Sequence, residues 1–233
     1  QSLLEQFPGQ VIAAPCDIRQ ETQVRNLACL VKDAGYEIHW IYNNAGIIGT
    51  LDPIWESPIQ TIQEVMDVNL FGMIHVIQAF MPLLLGQSFR SHIVNMASMY
   101  ALYSSSQTTA YTMSKHAVLA LSESLYFDLK RLDKPVDISL VFPSFTDTSL
   151  MANSSSSSGF EKSLASLLRH SRSAEDVALQ VIAAVDRKQF YIFPDKEVKI
   201  YAEERVQAMI TQEAPHANAV EKLMHSLIKR VKV

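Results

Sequence analysis

The stretch HIVNMASMYALYSSSQTTAYTMSKHAVLALSESLYFDLKRLDKPVDISLVF, residues 92–142, holds one complete strand, helix and strand unit. Its opening run, 92–96, and its closing run, 136–142, are apolar at nearly every position, as strands covered on both faces of a parallel sheet are. Between them, residues 111–131 carry apolar side chains at helical spacing. A strand that returns through a helix to a second strand of the same sheet makes a right-handed crossover. Outward from this unit the alternation continues, with strands expected at 10–15, 38–43 and 189–193 and helices at 21–34, 59–85 and 174–188. Ser173, with Asp176 three residues on, resembles a capping box at the start of the last of these helices. Beyond residue 193 the pattern is helical only. The expectation is an α/β fold of three layers, doubly wound on a mostly parallel sheet, in one domain over 1–233 whose residues 196–233 form a helical C-terminal extension.

Composition narrows the function. A chain of 233 residues can bury a sizeable core, and 48% hydrophobic with 19% charged residues is ordinary globular usage, not that of a disordered or collagen-like chain. Twenty Lys and Arg against 24 Asp and Glu leave a net charge of −4, with no broad positive field for phosphates, so nucleic acid is not expected as a partner. Cys16 and Cys29 lie in apolar settings without C-x-x-C spacing, which suggests reduced, mostly buried thiols and a cytoplasmic protein. No apolar run is read as reaching the length of a membrane span, and no basic segment followed by an apolar one opens the chain. Seven histidines show no metal-ligand spacing, so no metal site is assigned. The tract NSSSSSG at 153–159 is low in complexity and reads either as a solvated connector or as a lid over a site.

Several residues are placed for chemistry. Ser98 follows the strand at 92–96, at the carboxyl end of a parallel sheet, where such sheets bind ligands. Tyr111 and Lys115 are four apart on one helix, so both project from one face, and an ammonium near a phenol lowers the phenol's pKa toward neutrality. Asn43-Asn44-Ala45-Gly46 follows the strand at 38–43, where small residues permit a tight turn and close approach to a ligand. Asn69 is an amide within an apolar helical stretch, DVNLFGMI, and requires a hydrogen-bond partner there. Met-Ala-Ser98-Met-Tyr is not the G-x-S-x-G elbow of an esterase, which leaves a hydrolase as a distant reading.

Taken together, N-N-A-G at 43–46, Asn69, Ser98 and Y-x-x-x-K at Tyr111 and Lys115 resemble the short-chain dehydrogenases/reductases in order and spacing, including the thirteen residues from Ser98 to Tyr111. The resemblance runs from about residue 10 to residue 193. It implies a Rossmann-like fold and hydride transfer between NADP or NAD, with NADP slightly favoured, and a small or lipophilic carbonyl or secondary alcohol. By the same resemblance Tyr111 is the general acid/base and Ser98 hydrogen-bonds the reacting oxygen. Lys115 holds the nicotinamide ribose, and Asn69 anchors a relay water. Asn43, Ala45 and Gly46 pass the cofactor ribose, Asp17 sits at the adenine, and Pro143, Thr146 and Thr148 lie at the carboxamide or phosphates. Ser144 stands where the family has a glycine, which puts a side chain in a space the family leaves open. Residues 150–170 fall where the family carries its substrate loop. Homodimers or homotetramers are implied.

The family's glycine-rich T-G-x-x-x-G-x-G turn is absent before Asn43. The first strand, helix and second strand are read as missing, so the chain is either a fragment of a longer protein, the favoured reading, or a non-catalytic binding or scaffold protein that keeps the fold. At the other end, Val220, Leu223, Met224, Leu227, Ile228 and Val231 draw an apolar stripe among Lys222, Lys229, Arg230 and Lys232. A helix docked on its own core or on a twin subunit is favoured over a membrane-surface anchor.

Overall fold

The computed structural model describes residues 3–148, 150, 164, 166 and 168–231. After a short turn of helix, α1 (Leu3–Gln6), come α2 (Glu21–Asp33) and β1 (Trp40–Asn43). A long helical rod follows: α3 (Ile59–Met66), a π-helical turn (Asp67–Phe71) and α4 (Gly72–Gly86). β2 (Ser91–Met96), a 3₁₀ turn (Met99–Ala101), α5 (Thr109–Arg131) and β3 (Val136–Val141) realise the unit expected from 92–142. Two short strands, β4 (Thr146–Asp147) and β5 (Arg172–Ser173), precede α6 (Ala174–Asp186) and β6 (Tyr191–Ile192). The chain then runs through α7 (Glu197–Ile210) and α8 (Ala219–Val231).

The main sheet has the order β1-β2-β3-β6, all parallel, with Trp40 opposite His92, Met96 opposite Val141 and Leu140 opposite Tyr191. α6 covers one face, where Val177, Val181 and Val185 pack on Val94, Val141 and Ile192. On the other face Leu84 of α4 and Leu129 of α5 pack on Ile93, Val136 and Ile138. These are the three layers of a Rossmann-like fold, and each fully buried aliphatic side chain contributes about 1.5–3 kcal/mol to it. Local signals stop the helices where they should. The Ser173 hydroxyl accepts from the Asp176 amide at 3.1 Å, as its position suggested. α5 ends with Lys130 and Arg131 at its negative pole and with Asp133 in the left-handed region, where the Lys134 amide closes on the Leu129 carbonyl at 2.9 Å.

Four expectations need correction. Residues 10–15 form no strand, and Ile12 is 63% exposed. Apolarity alone does not make a strand; a ladder partner does, and a cavity of about 550 Å³ between Ile12, Ala14, α2 and the outer side of β1 lies where that partner would have to sit. β1 is therefore an edge strand, with Trp40 and Tyr42 partly open to solvent. The helix expected at 59–85 is broken by the π turn, for a reason given below. Its whole run, Ile59–Gly86, is 28 residues and apolar enough to cross a membrane by length and composition, contrary to the initial reading; here it packs against α2 and the sheet. Finally, Cys29 is exposed and Cys16 only partly covered, because α2 is an outer helix that buries only Val24 and Ala28 fully; both thiols are free.

The C-terminal helix is docked on its own chain. Val220 and Met224 of α8 are buried in the main core cluster beside Tyr100, Tyr103 and Tyr111, while Lys222 and Lys229 face solvent. The Asn218 side chain caps α8 by accepting from the Glu221 amide at 2.9 Å. The serine tract at 153–159 lies outside the described residues, as does most of 150–170.

Candidate active site

Ser98 stands just past the carboxyl end of β2, in extended conformation at the N-cap of the 3₁₀ turn, where its hydroxyl accepts from the Tyr100 amide at 3.3 Å. The Met99 amide donates to the Pro143 carbonyl at 2.9 Å, which brings the segment after β3 beside the serine. The first turns of α5 then bring Tyr111 and Lys115 to the same end of the sheet. The Ser98 hydroxyl lies near enough to the Tyr111 phenol to favour its ionised form, and the Lys115 ammonium lies 5.5 Å from the centroid of the Tyr111 ring. All three residues are buried.

The ionisation differs from the expectation that the ammonium lowers the phenol. Burial pushes Tyr111 up to about 12, and the Ser98 hydroxyl only partly opposes this. Burial likewise pulls Lys115 down to about 8. Lys115 Nζ is directed at a carbonyl instead of the phenol oxygen, donating to Met96 O at 2.8 Å. The resting site therefore holds a protonated phenol, which is a proton donor.

Asn69 explains the π turn. The extra residue rotates its amide inward, where Nδ2 donates to Ile47 O at 2.9 Å and to Ser114 Oγ at 2.9 Å, and Oδ1 accepts from Ile47 N at 2.8 Å. Ser114 Oγ in turn donates to Tyr111 O at 2.7 Å. One side chain thus ties the turn after β1 to the helix carrying Tyr111 and Lys115. Gly46 is pressed against this tie: a Cβ there would lie 3.2 Å from Asn69 Oδ1 and 3.7 Å from Lys115 Nζ. Because Asn69 is held by three hydrogen bonds, it has little freedom to yield. Gly46→Ala is expected to cost about 1–2 kcal/mol in thermal unfolding, and a variant that melts like the wild type would show that Asn69 moves freely.

Asn43 Nδ2 donates to Asn95 Oδ1 at 2.8 Å, Asn95 Nδ2 to Ser122 Oγ at 2.9 Å, and Ser122 to Val118 O at 2.7 Å. This buried chain fixes β1, β2 and α5 to one another. Asn95 and Ser114 went unnoticed in the sequence, though a polar residue in an otherwise apolar strand and one between Tyr111 and Lys115 were visible signals. Asp195 gave no such signal. It is buried after β6, where Oδ2 accepts from the Ser144 amide at 3.0 Å and Oδ1 from Arg172 Nη1 at 2.8 Å. Ser144 turns its hydroxyl to Met99 Sδ at 3.4 Å, so its side chain is tucked toward the serine turn.

The remaining residues are less converged. Thr146 lies in β4, its hydroxyl donating to Ser144 O at 3.2 Å, and Thr148 is exposed, its hydroxyl accepting from the Leu150 amide at 3.4 Å. Asp17 directs both carboxylate oxygens to Arg19, which holds its carboxyl below the usual range. Its neighbour Ile18 packs on Gly72, where a Cβ would come within 2.6 Å of it, and its carbonyl accepts from His75 Nδ1 at 2.9 Å. Ile18 therefore shares a cavity of about 230 Å³ with Asn43, Asn44, Ala45 and Met73 at the carboxyl end of β1. Asp17 itself does not line this hollow, whereas its neighbour Ile18 does together with Asn43 and Ala45, and Lys115 lies beside Gly46, an arrangement with room for part of a dinucleotide.

Residues 1–159 match the family model described as short chain dehydrogenase. A 1-deoxy-11-beta-hydroxypentalenate dehydrogenase of Streptomyces exfoliatus is 33% identical over 193 residues, covering 82% of this chain and 67% of the relative. A CLA biosynthesis dehydrogenase/reductase of Lactiplantibacillus plantarum is 24% identical over 93% of this chain and 81% of its own length. Among solved structures, a short chain dehydrogenase/reductase from Burkholderia phymatum in complex with NAD superposes with a TM-score of 0.86 at 29% identity, over 92% of this chain and 82% of that one.

Proposed function

The chain belongs to the short chain dehydrogenase family, and from that premise we propose that it reduces a carbonyl to a secondary alcohol, or runs the reverse oxidation, with Tyr111 as the proton-transferring group. The balance is carbonyl plus NAD(P)H plus a proton giving alcohol plus NAD(P)⁺. The nicotinamide supplies or accepts the hydride. The observation that carries the reading is the convergence of a buried Tyr111, its Ser98 partner and Lys115 at the carboxyl end of β2.

Each residue then has a task. Ser98 positions the substrate oxygen by hydrogen bonding, and Tyr111, protonated in the resting site, delivers its proton to that oxygen as negative charge develops. Lys115, bordering Gly46, holds the ribose hydroxyls of the dinucleotide. Asn69 keeps the turn at 43–46 and α5 at fixed separation. Asn43 and Ala45 line the ribose side, and Asp17 with Ile18 the adenine side. Pro143, Thr146 and Thr148 belong to the carboxamide and phosphate side, which Asp195 steadies through the Ser144 amide. A small or lipophilic carbonyl or secondary alcohol is the substrate class, and a second copy of this chain the expected assembly partner.

The test is carbonyl-dependent oxidation of NADH and of NADPH across a panel of aldehydes and ketones, run beside fluorescence titration of each reduced cofactor. Turnover with any carbonyl supports the reading. Cofactor binding without turnover of any carbonyl, or no binding at all, would favour a non-catalytic protein that retains the fold.

A further inference from the structure

Between Ser98 and Tyr111 the chain places two further tyrosines whose rings continue from Tyr111 in a row. The Tyr100 ring meets Tyr111 edge to face at 5.8 Å, Tyr103 stacks obliquely on Tyr100 at 5.2 Å, and Tyr201 of α7 closes the row on Tyr103 at 5.5 Å. α8 lies over this row through Val220 and Met224, and Leu164 and Leu168 join the same apolar cluster. Glu221 fastens the helix down by accepting from the Ser105 hydroxyl at 2.5 Å and the Ser106 amide at 2.9 Å. Tyr103 is 4% exposed, and its hydroxyl is the one buried side-chain oxygen or nitrogen among the described residues with no hydrogen-bond partner. The hydroxyl of Tyr100 is a close polar neighbour, and Tyr201 and Glu221 also act on it electrostatically, but none of the three meets it with full hydrogen-bonding geometry.

A buried hydroxyl left unpaired destabilises the folded state, and such a group in a native protein calls for a reason. We propose that Tyr103 is a specificity-determining residue whose hydroxyl binds a second oxygen of the substrate, so that the preferred substrate is a lipophilic carbonyl or alcohol carrying a further hydroxyl or carbonyl group. This rests on the oxidoreductase reading above. The reacting oxygen sits between Ser98 and Tyr111, and the second oxygen takes the place beside the Tyr103 hydroxyl that Val220 and Met224 of α8 cover here, so binding displaces α8 from the row. An apolar enclosure with one placed polar group is how such pockets select orientation. A site that leaves its own polar group unpaired when the wrong substrate binds discriminates against that substrate.

The experiment compares wild type with Tyr103→Phe on matched pairs of ketones, 2-decalone with 6-hydroxy-2-decalone and 2-decanone with hydroxylated 2-decanones, with kcat and KM measured for each. Wild type is expected to prefer a hydroxylated member by about tenfold in kcat/KM, mostly through KM, and Tyr103→Phe to bring the pair to near parity. Equal preference in both proteins, or no preference in wild type with any pair, overturns the assignment and leaves Tyr103 a structural residue. In parallel, thermal shifts with the hydroxyketones read binding without turnover: a shift in wild type that Tyr103→Phe loses supports the assignment, and an equal shift in both, or none in either, overturns it. If wild type turns over none of the ketones, the reductase reading fails and the thermal shifts alone decide the role of Tyr103. The variant's own melting temperature, expected at or above that of wild type, guards against misfolding as the cause.

Discussion

Tyr111→Phe is expected to lower kcat/KM for carbonyl reduction by about 10³-fold or more while leaving the fold and the affinity for reduced cofactor nearly unchanged. The size follows from the role: a positioned proton donor contributes about 10² to 10⁴. The Ser98 hydroxyl is too weak an acid to give up its proton readily, and Lys115 donates to the Met96 carbonyl, so neither is a ready substitute. Little stability is at stake. The phenol oxygen makes no hydrogen bond within the described residues that holds another element in place, and the ring, which packs on Tyr100, is kept by phenylalanine. The loss should fall on kcat, since the proton moves only in the transition state. Because burial holds the phenol near 12, the reductive rate of the wild type should show no fall from phenol ionisation around neutral pH. Steady-state kinetics, cofactor fluorescence and thermal unfolding on the same preparation check all three parts. Turnover within tenfold of wild type would remove Tyr111 from the mechanism.

Much of the fold was legible because its signals are local. The 92–142 unit reads as strand, helix and strand from periodicity, and Ser173 announces a helix start by residue type; both stand within one or two residues of where they were expected. Residues 10–15 show the limit. Their apolarity is the same as that of 38–43, but a strand is a relation between two segments, and the partner needed beside β1 is not among the described residues. The site divides along the same line. Tyr111 and Lys115 share a face because a helix fixes i and i+4, so their convergence could be read in advance. The direction of the Lys115 ammonium could not, because it depends on a carbonyl at the end of a strand nineteen positions earlier in the chain. Nor could the phenol's ionisation, which is decided by how completely α5, α8 and the 3₁₀ turn exclude water. Asp195 and Glu221 were invisible for a related reason: each acts over a separation set only by the closed fold, 51 residues to Ser144 and 116 to Ser105.

Lys115→Met should make the protein more stable at neutral pH and inactive. In the folded chain the ammonium is buried and its pKa falls from 10.5 to about 8, whereas the unfolded chain keeps the ordinary value. Between these two values the unfolded state binds more protons, so wild-type stability rises with pH across that window, and below about pH 8 the whole penalty is present. That penalty is about 3 kcal/mol, offset in the variant by about 1–2 kcal/mol for the Met96 carbonyl that loses its donor. Methionine fills a similar volume without a charge, so a net gain of about 1–2 kcal/mol is expected at pH 7. At pH 10.5 the penalty has fallen to about 0.4 kcal/mol, less than the lost hydrogen bond, so the order reverses and wild type becomes the more stable. Urea unfolding of both proteins at the two pH values reads this crossing directly. The same variant should lose most of its affinity for reduced cofactor, since the ammonium beside Gly46 is the group assigned to the ribose hydroxyls. A variant less stable than wild type by the same amount at both pH values would mean that the ammonium carries no burial cost, and the tension between stability and function assigned to this lysine would be absent.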